Sequence, residues 1–137
     1  MTLGEYLKWS LRQPWGWGAQ PGLDCCKFAA RWCVERGHPD PMDFLKPLYD
    51  SERAALLTIE RGGGLLKLWQ RGMTEAGVPE ADDARAGDIG LLALPQEAGP
   101  NQACGIFTGD RWAVLAMAGM LFLGTQDVPD VLAVWRP

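Results

Sequence analysis

Asp24 and Cys25 are the residues of this sequence best placed to do chemistry. Asp24 is a favourable helix N-cap, and the residues that follow it, up to about Arg36, have the spacing of an amphipathic helix that Gly37 ends. A cysteine in the first turn of a helix meets free backbone N–H groups and the positive end of the helix dipole, which together lower the pKa of its thiol. The pattern therefore predicts that Cys25 is either a nucleophile or a small residue of the core.

The loop before this helix is rich in glycine, proline and tryptophan, and it can leave the sulfur open to a cleft. It contains Trp15 and Trp17. Aromatic side chains are enriched at protein interfaces, so the two tryptophans are candidates for an exposed contact surface. They are equally suited to cover the core beneath the loop, and the sequence leaves both roles open.

Helical patterning fills the first half of the chain and strand patterning fills the second half. Besides the Cys25 helix, capping residues and glycine stops predict helices at about 2–13, 51–62 and 65–77. Apolar runs predict five strands, at 88–94, 104–108, 112–116, 120–123 and 131–135, with a hairpin turn at Gly109 and Asp110. Helices followed by an antiparallel sheet indicate the α+β class, and we expect residues 1–137 to form one domain.

Composition and charge exclude several classes of protein. Of the 137 residues, 47% are hydrophobic and 22% are charged, which is typical of a globular domain and not of a disordered chain. The net charge of −4 and the lack of a Lys/Arg cluster argue against nucleic-acid binding. We find neither an apolar run long enough for a membrane span nor a signal-peptide pattern, so we expect synthesis in the cytoplasm. Synthesis in the cytoplasm predicts that the four cysteines are reduced, and because they include no C-x-x-C pair we expect no metal site.

Three motifs, in their order along the chain, resemble those of the papain-like NlpC-type cell-wall peptidases. Asp24-Cys25 resembles the family's Asp-Cys-Ser-Gly nucleophile motif, with Cys26 and Lys27 in place of Ser and Gly. The segment 86–89 resembles the Pro-Gly-Asp-Leu start of a strand, and the segment 104–109 resembles the Val-Gly-Ile-Tyr-x-Gly strand. The similarity covers nearly the whole chain. It implies the NlpC-type fold, in which the helix that carries the cysteine packs, with other N-terminal helices, on an antiparallel sheet of about five strands.

The sequence departs from this family at the general base. The family has a histidine directly before the Val-Gly-Ile-Tyr stretch, and this sequence has Ala103 there. The family's next strand carries a polar residue that orients the base, and here the segment 112–118 is apolar. The only histidine, His38, follows the far end of the Cys25 helix, roughly 16 Å from its start. A general base contributes on the order of 10²–10⁴-fold to the rate. We therefore interpret Cys25 as a vestigial nucleophile or a structural residue, with Asp24 as the N-cap beside it.

The inserted helices at about 51–77 and the late Trp135 resemble a phage-borne branch of this family, whose members are encoded beside tail-tip and tail-assembly genes. The resemblance implies an assembly component of a phage tail tip, or baseplate, built on an inactive peptidase domain that needs no cofactor. Its partners would be other tail-tip proteins, and after synthesis in the host cytoplasm it would enter the virion. One alternative is an active cysteine peptidase that uses another base and cleaves peptidoglycan stem peptides during phage entry. A further alternative is a module that binds cell-wall fragments without cutting them.

Overall fold

A computed structural model describes residues 1–95 and 101–137, and within these ranges four α-helices precede five β-strands. The helices are α1 (Leu3–Leu11), α2 (Cys25–Glu35), α3 (Glu52–Arg61) and α4 (Leu65–Ala76). The strands are β1 (Ile89–Ala93), β2 (Gln102–Phe107), β3 (Arg111–Ala116), β4 (Gly119–Gly124) and β5 (Asp130–Trp135). Short 3-10 helices lie at Lys46–Leu48 and Thr125–Asp127. The predicted α+β class is confirmed.

The five strands form one antiparallel sheet in the order β4-β3-β2-β1-β5. Strand β1 pairs with both β2 and β5, with Leu91 opposite Cys104 on one side and Ala133 on the other. The turn at 109–110 joins β2 to β3, as predicted. Strand β2 begins two residues before its predicted start because Gln102 and Ala103 already pair with β1.

The two faces of the sheet carry separate apolar clusters. Leu91 and Cys104 point to the face that α2 and α4 cover, where the larger cluster lies. Side chains alternate along a strand, so the neighbouring Leu92 and Ala103 point to the other face, where they pack in a smaller cluster with Val128. The largest fully buried side chains of the main core are those of Tyr6, Phe28, Met42, Trp69, Met73 and Trp135. Helix α2 is therefore fixed against the sheet by a packed apolar interior.

Capping residues fix the starts of three helices. Thr2, Asp24 and Ser51 each accept a hydrogen bond from the backbone N–H three residues further along the chain. Helices α1 and α2 end one or two residues before the predicted ends, which is the usual uncertainty for helix termini. Within the described ranges, no helical segment combines the length and the apolar composition that a bilayer-spanning helix requires.

Candidate functional site

Cys25 is the first residue of α2, and its side chain is partly exposed beside a cavity of about 250 Å³. The cavity lies where β2 begins and β3 ends. Its walls include Trp15 and Trp17 from the loop before α2, Ile59 from α3 and Leu115 from β3. The fold therefore places the thiol at the border of a partly open and mainly apolar cavity.

Asp24 forms the structural centre of this site. The residue is 2% exposed, and its carboxylate accepts three hydrogen bonds. One oxygen accepts from the backbone N–H of Lys27 at 2.8 Å. The other oxygen accepts from the N–H of Gly18 at 2.9 Å and from the hydroxyl of Tyr49 at 2.6 Å. The carboxylate thus joins three separate segments, namely α2, the loop before it and the segment after the first 3-10 helix.

Lys27 occupies a position where the resembled motif has glycine, and it holds the same loop from the other side. The residue is 7% exposed, and its ammonium group donates to the carbonyl oxygens of Gly18 and Gln20, each at 2.8 Å. Burial lowers the pKa of this ammonium group, and the nearby charge of Asp24 opposes that shift. The loop is therefore anchored to the first turn of α2 through both its N–H and its C=O groups.

Three thiols beside α2, those of Cys25, Cys26 and Cys104, influence one another's ionisation. Cys26 shifts the pKa of both Cys25 and Cys104. Its interaction with Cys25 raises the pKa of the Cys25 thiol well above its usual value, and burial and the charge of Asp24 raise it further. The pKa values of Cys26 and Cys104 are also raised. The expected effect of the helix end is therefore outweighed, and the three thiols are protonated at neutral pH.

Neither Ala103 nor His38 supplies a general base beside the Cys25 thiol. Ala103 is 2% exposed and borders the cavity, but its methyl group packs in the smaller cluster on the face opposite α2. It is the next residue, Cys104, that faces α2. His38 follows the C-terminal end of α2, where its backbone N–H donates to the carbonyl oxygen of Cys33 at 3.0 Å. The only imidazole of the chain is thus at the opposite end of the helix from Cys25.

Trp15 and Trp17 combine features of the two roles that the sequence left open. Both are half-buried, both pack against the main core and both line the cavity. Their rings meet edge to face, with centroids 5.1 Å apart and an angle of 84° between the planes. The two rings therefore form part of the wall of the cavity.

A family of proteins matches almost the whole chain. The model of the family described as Domain of unknown function (DUF6950) matches residues 1–136. The chain belongs to this family. Neither a curated protein nor a solved structure matches the chain. The match to DUF6950 includes the loop, α2 and all five strands, so it covers every element that borders the cavity.

Two residues of the site in this DUF6950 chain, Tyr49 and Cys104, were not predicted from the sequence. Tyr49 lies in a proline-containing segment without a recognisable motif, so nothing in the nearby sequence indicated its hydrogen bond to Asp24. Cys104 stands where the resembled strand has valine, so the motif did not mark it as a site residue. Its place became clear only from the register of β2 against β1, which pairs Cys104 with Leu91.

Asp88, in the motif at the start of β1, has a structural environment. Its carboxylate forms a 2.7 Å ion pair with Arg136 and accepts a 2.8 Å hydrogen bond from the N–H of Arg85. These contacts hold the end of the chain to the start of β1. All four cysteines are free, and in the part of the chain that the structure describes no group of three or more His, Cys, Asp or Glu side chains is arranged to hold a metal ion.

Proposed function

We propose that this chain is a papain-like domain of NlpC type without a general base, and that it serves as an assembly component of a phage tail tip or baseplate. One observation carries the proposal. The Cys25 thiol borders a cavity at the start of a helix, its pKa is raised, and the only histidine of the chain lies beyond the other end of that helix. A cysteine peptidase needs a thiolate and a base that moves its proton, and this arrangement favours neither.

The arrangement of the elements supports the papain-like part of the proposal. A helix that begins with cysteine packs on an antiparallel sheet, and the resembled Gly-Asp and Gly-Ile strands lie next to each other as β1 and β2. The cavity lies at the start of this helix, where the resembled peptidases hold substrate. The hydrogen bonds of Asp24, Lys27 and Tyr49 join the segments around the cavity. This structural role does not require that the site is catalytic.

Exposed apolar side chains near the cavity support an assembly role. Leu56 on α3 is 58% exposed, Met117 after β3 is 61% exposed and Leu121 on β4 is 37% exposed, and all three line the cavity. Strand β4 is an edge of the sheet and contains neither a charged residue nor proline, the features that usually protect an edge strand from pairing with another chain. Contiguous exposed apolar surface is typical of protein–protein contacts. We infer that a neighbouring tail-tip protein covers this region.

A peptidase assay and a virion analysis together test the proposal. The purified protein and its Cys25→Ala variant are incubated with peptidoglycan stem peptides, and we expect no cleavage by either. The protein is then sought by mass spectrometry in purified phage, and the gene is deleted. We expect the chain in tails, and we expect tails without a complete tip when it is absent. Cleavage that Cys25→Ala abolishes would overturn the inactive assignment, and absence from tails together with normal assembly would overturn the assembly role.

A further inference from the structure

The cavity beside Cys25 differs chemically from a site for charged peptides. Among the described residues that line it, most are apolar, and the only charged side chains are those of Asp24 and Glu52. The carboxylate of Asp24 is already occupied by its three hydrogen bonds. Glu52 is exposed at the start of α3, where it adds a negative charge to the border of the cavity. No lysine, arginine or histidine among these lining residues could receive an anion.

The size of the cavity sets the size of its occupant. Its volume of about 250 Å³ exceeds the ~150 Å³ of an engineered apolar cavity that binds benzene. Ordered water needs two to four polar partners, and walls formed by Trp15, Ile59 and Leu115 supply few of them. The space is therefore suited to an apolar group somewhat larger than benzene.

We propose that this cavity is a binding site for a neutral aliphatic or small aromatic group and that it discriminates against anions. The apolar walls supply affinity through burial of the ligand's surface. A carboxylate drawn into such walls loses its hydration without gaining a basic partner, and Glu52 repels it. The site therefore disfavours peptidoglycan stem peptides, which carry carboxylates. This inference does not depend on the assignment to a phage tail, because it concerns the chemistry of the cavity alone.

The test uses a fluorescent probe and a set of ligands that share one chain length. N-phenyl-1-naphthylamine, which is neutral and apolar, is titrated into the folded protein and then displaced with 1-octanol, octanoate or octylamine. We expect saturable fluorescence and displacement by 1-octanol, with octanoate weaker by at least about tenfold because its charge must be desolvated. The Glu52→Gln substitution should reduce the difference in affinity between 1-octanol and octanoate.

Variants show whether the ligand occupies this cavity and not another apolar surface. Ala55→Phe fills the space from α3, and Met117→Glu adds an exposed charge at its border. We expect both to weaken binding of the probe and of 1-octanol. Leu11→Glu is the matched control for Met117→Glu, because Leu11 is 54% exposed on α1 and does not line the cavity. Circular dichroism checks that each variant is folded, and Met117→Glu keeps the test valid if Ala55→Phe does not fold.

Alkylation of Cys25 gives a readout at the site itself. Saturating 1-octanol should slow the reaction of Cys25 with N-ethylmaleimide, located by tandem mass spectrometry, because the ligand would cover the thiol. The proposal is overturned if the probe does not bind saturably, or if Ala55→Phe and Met117→Glu leave binding unchanged. It is equally overturned if octanoate binds as well as 1-octanol, or if Cys25 is not protected. None of these outcomes changes the result of the peptidase and virion experiments, so the two proposals fail separately.

Discussion

The hydroxyl of Tyr49 donates a 2.6 Å hydrogen bond to the buried carboxylate of Asp24. This contact spans 25 positions of sequence and fixes the segment before α3 to the first turn of α2. The same carboxylate oxygen accepts from the N–H of Gly18, so a single atom positions two segments that border the cavity. Asp24, the acid beside Cys25, therefore has a structural role.

The Tyr49→Phe substitution tests how much this contact stabilises the protein. A hydrogen bond to a charged group contributes roughly 1.5–3 kcal/mol to stability, against about 1 kcal/mol for a neutral pair. Tyr6→Phe is the matched control, because the hydroxyl of Tyr6 donates a bond of the same length, 2.6 Å, to the neutral carbonyl oxygen of Phe28. Urea denaturation should show a larger loss of the free energy of unfolding for Tyr49→Phe. Equal losses would mean that the Asp24 contact is no stronger than a neutral one.

The Gly18→Ala substitution tests how closely the loop approaches the segment around Tyr49. Gly18 has φ of +44°, and an added Cβ would collide with the backbone oxygens of Lys46 and Tyr49. Gly77→Ala is the control, because Gly77 has φ of +73° and open space around its Cα. The control should lose only the roughly 1–2 kcal/mol of left-handed backbone strain, and Gly18→Ala should lose clearly more. Equal midpoints of urea denaturation for Gly18→Ala and Gly77→Ala would contradict the close approach of the loop to the segment around Tyr49.

The raised pKa values of the four thiols predict a loss of stability at alkaline pH. The pKa values of Cys25, Cys26 and Cys104 are raised above the ordinary value of 9.0, and burial raises that of Cys33 to about 12. Below about pH 9 the folded and unfolded states hold the same protons, so these groups do not alter stability. Above it the unfolded chain loses protons that the folded chain retains, so stability falls by up to about 1.4 kcal/mol per pH unit for each group. Urea denaturation at neutral pH and at about pH 10 measures this fall. A flat profile would show that the thiols titrate normally.

The order of the elements and the position of Cys25 at the start of a helix could be predicted from the sequence because their signals are local. Capping residues such as Ser51 mark the starts of helices, and alternating apolar residues mark the strands. The placement of Cys25 at the start of α2 follows from Asp24 alone, since a residue that accepts from the N–H three positions on fixes the first turn.

The chemical state of the site could not be predicted, because it depends on contacts between distant segments. The helix end favours a thiolate at Cys25, but the interaction with Cys26, burial and the charge of Asp24 act in the opposite direction. The influence of Cys104 on the pKa of Cys26 depends on the register of β2 against β1. The hydrogen bond from Tyr49 to Asp24 depends on how a proline-containing segment folds back. Such effects are visible only once the packing is known.

The Cys26→Ala substitution tests the coupling between the thiols of Cys25 and Cys26. Removing the interaction that raises the pKa of Cys25 should lower that pKa, and each unit of decrease gives about tenfold more thiolate at neutral pH. Alkylation of Cys25 at neutral pH should therefore be faster in Cys26→Ala than in the parent protein. Cys33→Ala is the control, because Cys33 is also buried on α2 but is not among the groups that shift the pKa of Cys25. An unchanged rate of Cys25 alkylation in Cys26→Ala would show that Cys26 does not raise the pKa of Cys25.

The rate of Cys25 alkylation as a function of pH tests the central claim most directly. Iodoacetamide reacts with the thiolate, so its rate at Cys25 follows the fraction of thiol that is ionised. If the thiol has no base and a raised pKa, the reaction is slow at neutral pH and its rate rises about tenfold per pH unit without a plateau up to about pH 9. Fast labelling that is already constant below about pH 7 would reveal a thiolate paired with a base. That result would contradict the inactive assignment and favour a working cysteine peptidase.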